Sequence, residues 1–91
     1  MPRFTFRTSK DLRIRMTFHA FIFGETGEFL EIGDGPNVKI STQLARFNGT
    51  GIPNDVVSIT NAVWIIVKIS CGVRMFSLNI TVAAEDKTGM I

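Results

Sequence analysis

The chain has 91 residues, 45% of them hydrophobic, with eight Phe, one Trp and no Tyr, enough for one modest core and too little for two domains. That apolar share excludes an intrinsically disordered segment. Ten basic against eight acidic residues leave a net charge of +2, too mild to indicate nucleic acid, and a single Cys excludes an intramolecular disulfide framework.

Hydrophobic residues recur with a period of two along most of the chain, which predicts strands. Phe4 and Phe6 alternate with Arg3, Thr5 and Arg7 in the first. Leu12, Ile14, Met16 and Phe18 alternate with Arg13, Arg15, Thr17 and His19 in the second. The phase then slips, because Phe21 and Phe23 fall on odd numbers, and a β-bulge or strand bend accounts for such a slip. Short strands are predicted over 29–32, 38–47 and 56–60. The run 63–70 is apolar on both parities, as in a central strand covered on both sides. Phe76, Leu78, Ile80 and Val82 make a half-buried seventh. Gly, Pro, Asn and Asp cluster at 33–37, 48–51 and 53–55, where they accept positive φ or preset a turn. No stretch of ten residues reads as a helix. About seven short antiparallel strands predict an all-β sandwich or barrel spanning 1–84, with a polar tail or linker start at 85–91.

No signal peptide is visible, since the first residues carry charge without an apolar core. The Arg-rich start is not read as a mitochondrial presequence, because Asp11 and the two-residue period oppose a helical one. The apolar run 62–69 is well under the length that crosses a bilayer, and Lys68 interrupts it.

Four pieces in order now carry a resemblance. They are the strand 12–23 ending in spaced aromatics; Phe29-Leu30-Glu31-Ile32-Gly33-Asp34-Gly35; Ala45-Arg46-Phe47-Asn48-Gly49 with Ile52-Pro53 and Val57-Ser58; and 61–69 followed by Phe76-Ser77-Leu78-Asn79-Ile80. Over roughly 4–82 the chain resembles CUB domains. The resemblance implies a jelly-roll β-sandwich, extracellular or at the cell surface. It also implies a non-enzymatic module of a larger secreted or membrane protein, binding a protein or glycan partner. The family's first strands and first Cys would precede Met1 and its second Cys would fall near Pro2, so the chain looks like a CUB domain lacking its beginning. The family's second disulfide would join a position within 24–27 to Asn48, and neither carries Cys here.

The resemblance also brings calcium into question, through ligand positions that fall on Gly24, Glu28 and Cys71. Only Glu28 remains a carboxylate, with Glu25 and Asp34 as neighbours that would have to compensate. A solvated acidic edge is the preferred reading and a calcium site the minor one, so no cofactor is expected. Asn48-Gly49-Thr50 and Asn79-Ile80-Thr81 fit the N-glycosylation pattern. Five of the ten basic residues, Arg3, Arg7, Lys10, Arg13 and Arg15, lie in the first fifteen positions. On strands most would share one outward stripe able to attract heparan sulfate or an acidic protein, although an ordinary solvated face is the simpler reading.

Catalysis has little material. His19 is the only histidine, predicted on a polar strand face, and nothing brings Cys71 to it. Trp64 and Ile66 are read as core rather than as a binding patch. The expected function is partner binding through loops at one end, 24–27, 34–37 and 70–74, with Asp34, Asn37 and Arg74 as contact residues. Changing Glu28 and Asp34 together is expected to weaken binding without lowering the melting temperature. The alternative is a stand-alone domain that self-associates through an open sheet edge, with Arg13 and Arg15 blunting that edge.

Overall fold

A computed structural model describes residues 2–24, 26–69 and 76–87. Among these residues eight strands form, in the order β1 (Arg3–Arg7), β2 (Leu12–Phe23), β3 (Phe29–Asp34), β4 (Gln43–Phe47), β5 (Gly49–Thr50), β6 (Val56–Val57), β7 (Ala62–Lys68) and β8 (Phe76–Asp86). They assemble into two antiparallel sheets. Sheet A runs β1-β7-β3-β4. In sheet B the long β2 is flanked by the short β5 and β6 on one side and by β8 on the other. The chain is therefore an all-β sandwich, as its two-residue period requires.

The core lies between the sheets. Ile14, Met16, Phe18, Phe21 and Phe23 from β2 meet Leu30 and Ile32 from β3 and Val63, Ile65 and Val67 from β7. Full burial of each such side chain is worth roughly 1.5–3 kcal/mol. Phe18 packs edge-on against Phe47 with ring centroids 5.5 Å apart, and Phe21 stacks on Phe23 at 4.5 Å. Both geometries are favoured by the ring quadrupole.

The phase slip in β2 is a bulge. Phe18 pairs with Ile80 and Ala20 with Asn79, so His19 is the extra residue on the β2 side. One additional residue moves the inward set from even to odd numbers, which is why Phe21 and Phe23 still reach the core.

Several predicted boundaries change: the strand expected over 56–60 is only Val56–Val57, and that over 29–32 runs on to Asp34. Within 38–47, only Gln43–Phe47 is a strand, preceded by a 3₁₀ turn over Ile40–Thr42. The pair Gly49–Thr50, predicted as turn, bonds to Ile22 and Phe23 as β5. At the C-terminal side β8 continues through Asp86, two residues into the expected tail, because Leu12 and Arg13 supply partners for Asp86 and Glu85.

β7 is central, between β1 and β3, and six of its seven residues are buried. Its two faces are covered differently. Val63, Ile65 and Val67 enter the core between the sheets, whereas Trp64 and Ile66 lie on the outer face of sheet A, outside that cluster. Trp64 is nonetheless 1% exposed. Its indole lies across Gly33 of β3, where any Cβ would collide with the ring. Nε1 donates to Thr42 Oγ1 at 3.1 Å, tying down the 3₁₀ turn. Gly35, at φ +95°, then permits the turn that leaves β3.

Candidate interaction surface

β3 separates the acidic candidates. Glu28 precedes its first residue and Asp34 is its last. Six residues of extended chain place them roughly 20 Å apart, at opposite ends of the strand. Glu28 is 2% exposed and already engaged, so it is not a solvated acidic edge. Asp34 Oδ1 accepts from the backbone N–H of Ile59 (2.9 Å) and Thr60 (3.0 Å) and from the Thr60 hydroxyl (3.2 Å). Its work is to hold the 58–61 loop. Glu25, Cys71 and Arg74 lie outside the described residues. Among the described residues no three His, Cys, Asp or Glu side chains gather as a metal set. Glu28 and Asp34 therefore do not converge on one calcium ion.

The loop surface divides in the same way. The 24–27 turn lies at one end of β3, and 34–37, with exposed Asn37, lies at the other. Asn37 and the 24–27 turn thus do not belong to one end surface. Gly24, Thr26 and Gly27 line a common hollow with Phe23, Asn48 and Gly49, so the two stretches that the resemblance pairs are neighbours. Asn48 is exposed, and Gly49 has φ +79°. Asn79 and Thr81 are exposed on the outer side of β8, where Thr81 Oγ1 meets the Nε2 of exposed His19 at 2.7 Å.

The basic residues do not form one stripe. Arg3 and Arg7 belong to β1 in sheet A, Arg13 and Arg15 to β2 in sheet B. Arg13 Nε donates to Glu85 at 2.5 Å, and Arg15 bridges Glu85 (2.8 Å) and Asp55 (3.1 Å). Hydrogen bonds from Arg15 and then Arg13 hold the Glu85 carboxyl below the usual carboxylate range. Bonds to Glu85 and then Asp55 hold the Arg15 guanidinium above its ordinary value. Because β2 is flanked on both sides, neither arginine guards an open edge.

The outer face of sheet A is different. Register places Arg3 opposite Ile66, Arg7 opposite Ala62, Glu31 opposite both Ile66 and Arg46, and Lys68 opposite Phe29. Phe29 is half-buried and carries two cations. The Arg46 guanidinium carbon stands 4.1 Å from its ring centroid and Lys68 Nζ 5.9 Å, within cation–π range. Glu31 meets Arg46 at 3.7 Å. Four basic residues and one acidic residue thus share this face, with an aromatic anchor at its 24–28 end. The sequence reading did not select Phe29, Arg46 or Lys68. They lie on three strands far apart in the chain, and only the pairing order brings them together.

The chain is thus a small β-sandwich with an accessible aromatic and cationic face on the outside of sheet A. The family model for the CUB domain matches residues 3–81, and the chain belongs to the CUB family. A comparison with curated proteins finds no match.

Proposed function

We propose that the chain is an extracellular, non-enzymatic interaction module of a larger secreted or membrane protein, and that it binds an acidic protein surface through the outer face of sheet A. CUB domains are generally interaction modules of extracellular proteins, which supports the class of function. The observation that carries the site is Phe29 with Arg46 stacked on it and Lys68 beside it. Arginine and aromatic residues dominate binding energy at interfaces because they combine large contact area with charge and low entropy cost. The Arg46 side chain is 54% exposed, so a partner carboxylate can reach it while the ring supports its planar face. The N-glycosylation triplets at Asn48 and Asn79 are compatible with a secreted module.

The test is a binding screen of the chain against purified extracellular proteins, repeated with Arg46→Ala/Lys68→Ala. The expected result is a partner whose affinity falls about tenfold or more in the variant and weakens with added salt, at unchanged melting temperature. A partner indifferent to both changes would overturn the site. Retention on immobilised heparin without any protein partner would replace the acidic protein by a sulfated glycan.

A further inference from the structure

The outer face of sheet B carries a motif that the Phe29 surface does not use. Leu78, Ile80 and Val82 of β8 pack against the core cluster. Successive side chains of a strand point to opposite faces, so Ser77, Asn79, Thr81 and Ala83 lie on the outside. Asn79 and Thr81 are both exposed. They are the first and third residues of Asn79-Ile80-Thr81, an N-glycosylation triplet. The strand period therefore presents the acceptor amide and the hydroxyl together to solvent, while the middle residue, Ile80, packs inward.

The surroundings suit a sugar. Register places Ala20 opposite Asn79, Thr17 opposite Thr81 and Ile22 opposite Ser77. The nearest neighbours of Asn79 on this face, Ala20 across the pair and Ser77 and Thr81 along the strand, are all small. Thr81 Oγ1 is held by His19 Nε2 at 2.7 Å, which keeps that hydroxyl on the surface. The charged residues of the face, Arg13, Arg15, Asp55 and Glu85, stand towards its other end and pair with one another. A glycan is bulky and solubilising and has to stay outside the finished fold. On Asn79 it does so without entering the core, over a floor of small uncharged side chains.

We infer that Asn79 carries an N-linked glycan and that the outer face of sheet B is the carbohydrate-covered side of the domain. The inference rests on the extracellular reading above, because the secretory route supplies the donor, an oligosaccharide on a lipid diphosphate. In the transfer the Asn79 amide nitrogen bonds to the anomeric carbon of the sugar. The bond from that carbon to the diphosphate oxygen breaks, the lipid diphosphate leaves, and the amide gives up one proton. The covered face is on the opposite side of the sandwich from the outer face of sheet A, so a partner at Phe29 and a glycan at Asn79 do not compete for space.

The test expresses the 91-residue chain behind a cleavable secretion leader in mammalian cells. Peptide mapping follows enzymatic deglycosylation, which turns a glycosylated Asn into Asp. Asn79 is expected to be converted in the secreted wild-type chain. Asn79→Gln and Thr81→Val should each lose one glycan's mass, whereas Thr81→Ser should keep it. Coverage is read by amine acylation. Ser77→Lys should react several-fold more slowly with the glycan present than in the Asn79→Gln background, with Lys68 of sheet A as the unchanged reference. Should Ser77→Lys fail to fold, Ala83→Lys repeats the measurement on the same face. A secreted chain whose Asn79 is unmodified overturns the inference, even with Asn48 modified, and leaves the extracellular reading to its own test of partner binding. Equal acylation with and without the glycan overturns the covered face. A glycosylated Asn79 in a chain that finds no partner supports the inference and counts against the Phe29 surface alone.

Discussion

Gly33→Ala offers the sharpest test of how sheet A is closed on its outer side. A methyl at this position falls inside the Trp64 indole, and a rigid ring on a central strand has no small adjustment that clears it. The ring must leave the surface of β3, taking its hydrogen bond to Thr42 with it. A buried Trp hides about 200 Å², and uncovering half of it at about 25 cal/mol per Å² costs about 2.5 kcal/mol. The lost hydrogen bond adds about 1 kcal/mol. The sum, about 3.5 kcal/mol, corresponds in a domain of this size to a drop in melting temperature of roughly 15–25 °C.

Fluorescence makes the mechanism visible, because Trp64 is the only Trp and the chain has no Tyr. Gly33→Ala should shift emission to the red as the indole meets water. Gly35→Ala, strained at φ +95° but facing open space, should cost about 1–2 kcal/mol and leave emission unchanged. In a Gly33→Ala background, Trp64→Leu should cost less than the two single changes added, since each removes a partner to the same clash. A Gly33→Ala protein melting within about 3 °C of the wild type with unshifted emission would refute the reasoning, because neither steric displacement nor loss of burial would have occurred.

Three further outcomes follow from the polar contacts. Ser58→Ala should cost about 1–3 kcal/mol by urea titration, because the buried Ser58 hydroxyl accepts from Ile14 N–H at 2.8 Å where β6 has ended and no backbone acceptor follows. Asp34→Ala should cost about 1–2 kcal/mol by freeing the N–H groups of Ile59 and Thr60, so the Glu28/Asp34 double variant will melt lower than wild type, contrary to the expectation from sequence. Glu85 has its folded-state pKa depressed, so its contribution is present above the ordinary carboxylate range and lost as pH falls through the lower folded value; thermal melts below pH 5 should show a shallower acid decline for Glu85→Gln than for wild type.

The fold was legible because its strands are patterned one at a time. Alternation in β1, β2 and β8 names the inward residues directly, and the slip between Phe18 and Phe21 pointed to a bulge or bend that only the register places at His19. Elements with few backbone pairs were less readable. β5 and β6 are two residues each and pair with the side of β2 opposite β8, at Ile22–Phe23 and Arg15–Met16. Trp64 showed the limit of reading hydrophobicity as core. It is buried, but by a glycine beneath it and a 3₁₀ turn above it, and neither signal is periodic. The site was less legible for a related reason. Residues near in sequence, such as Glu28 and Asp34 or Arg7 and Arg13, were grouped, whereas a strand carries its two ends apart and a connection carries neighbours to different sheets.

That separation also sorts the charges by what they do. Arg13 and Arg15 lie within hydrogen-bond distance of Glu85 and Asp55, so their fields are largely neutralised a few ångströms away and reach little beyond the surface. Among the described residues, Arg3, Arg7 and Lys68 join no ion pair, and Arg46 shares a single carboxylate at 3.7 Å. A net charge of only +2 over the whole chain therefore understates the field on one face, because the compensating acids sit elsewhere. Surface charges act within about a Debye length, near 10 Å at 0.1 M salt. An acidic group approaching the domain thus feels the outer face of sheet A more than sheet B. Raising salt therefore weakens electrostatic attraction to that face first.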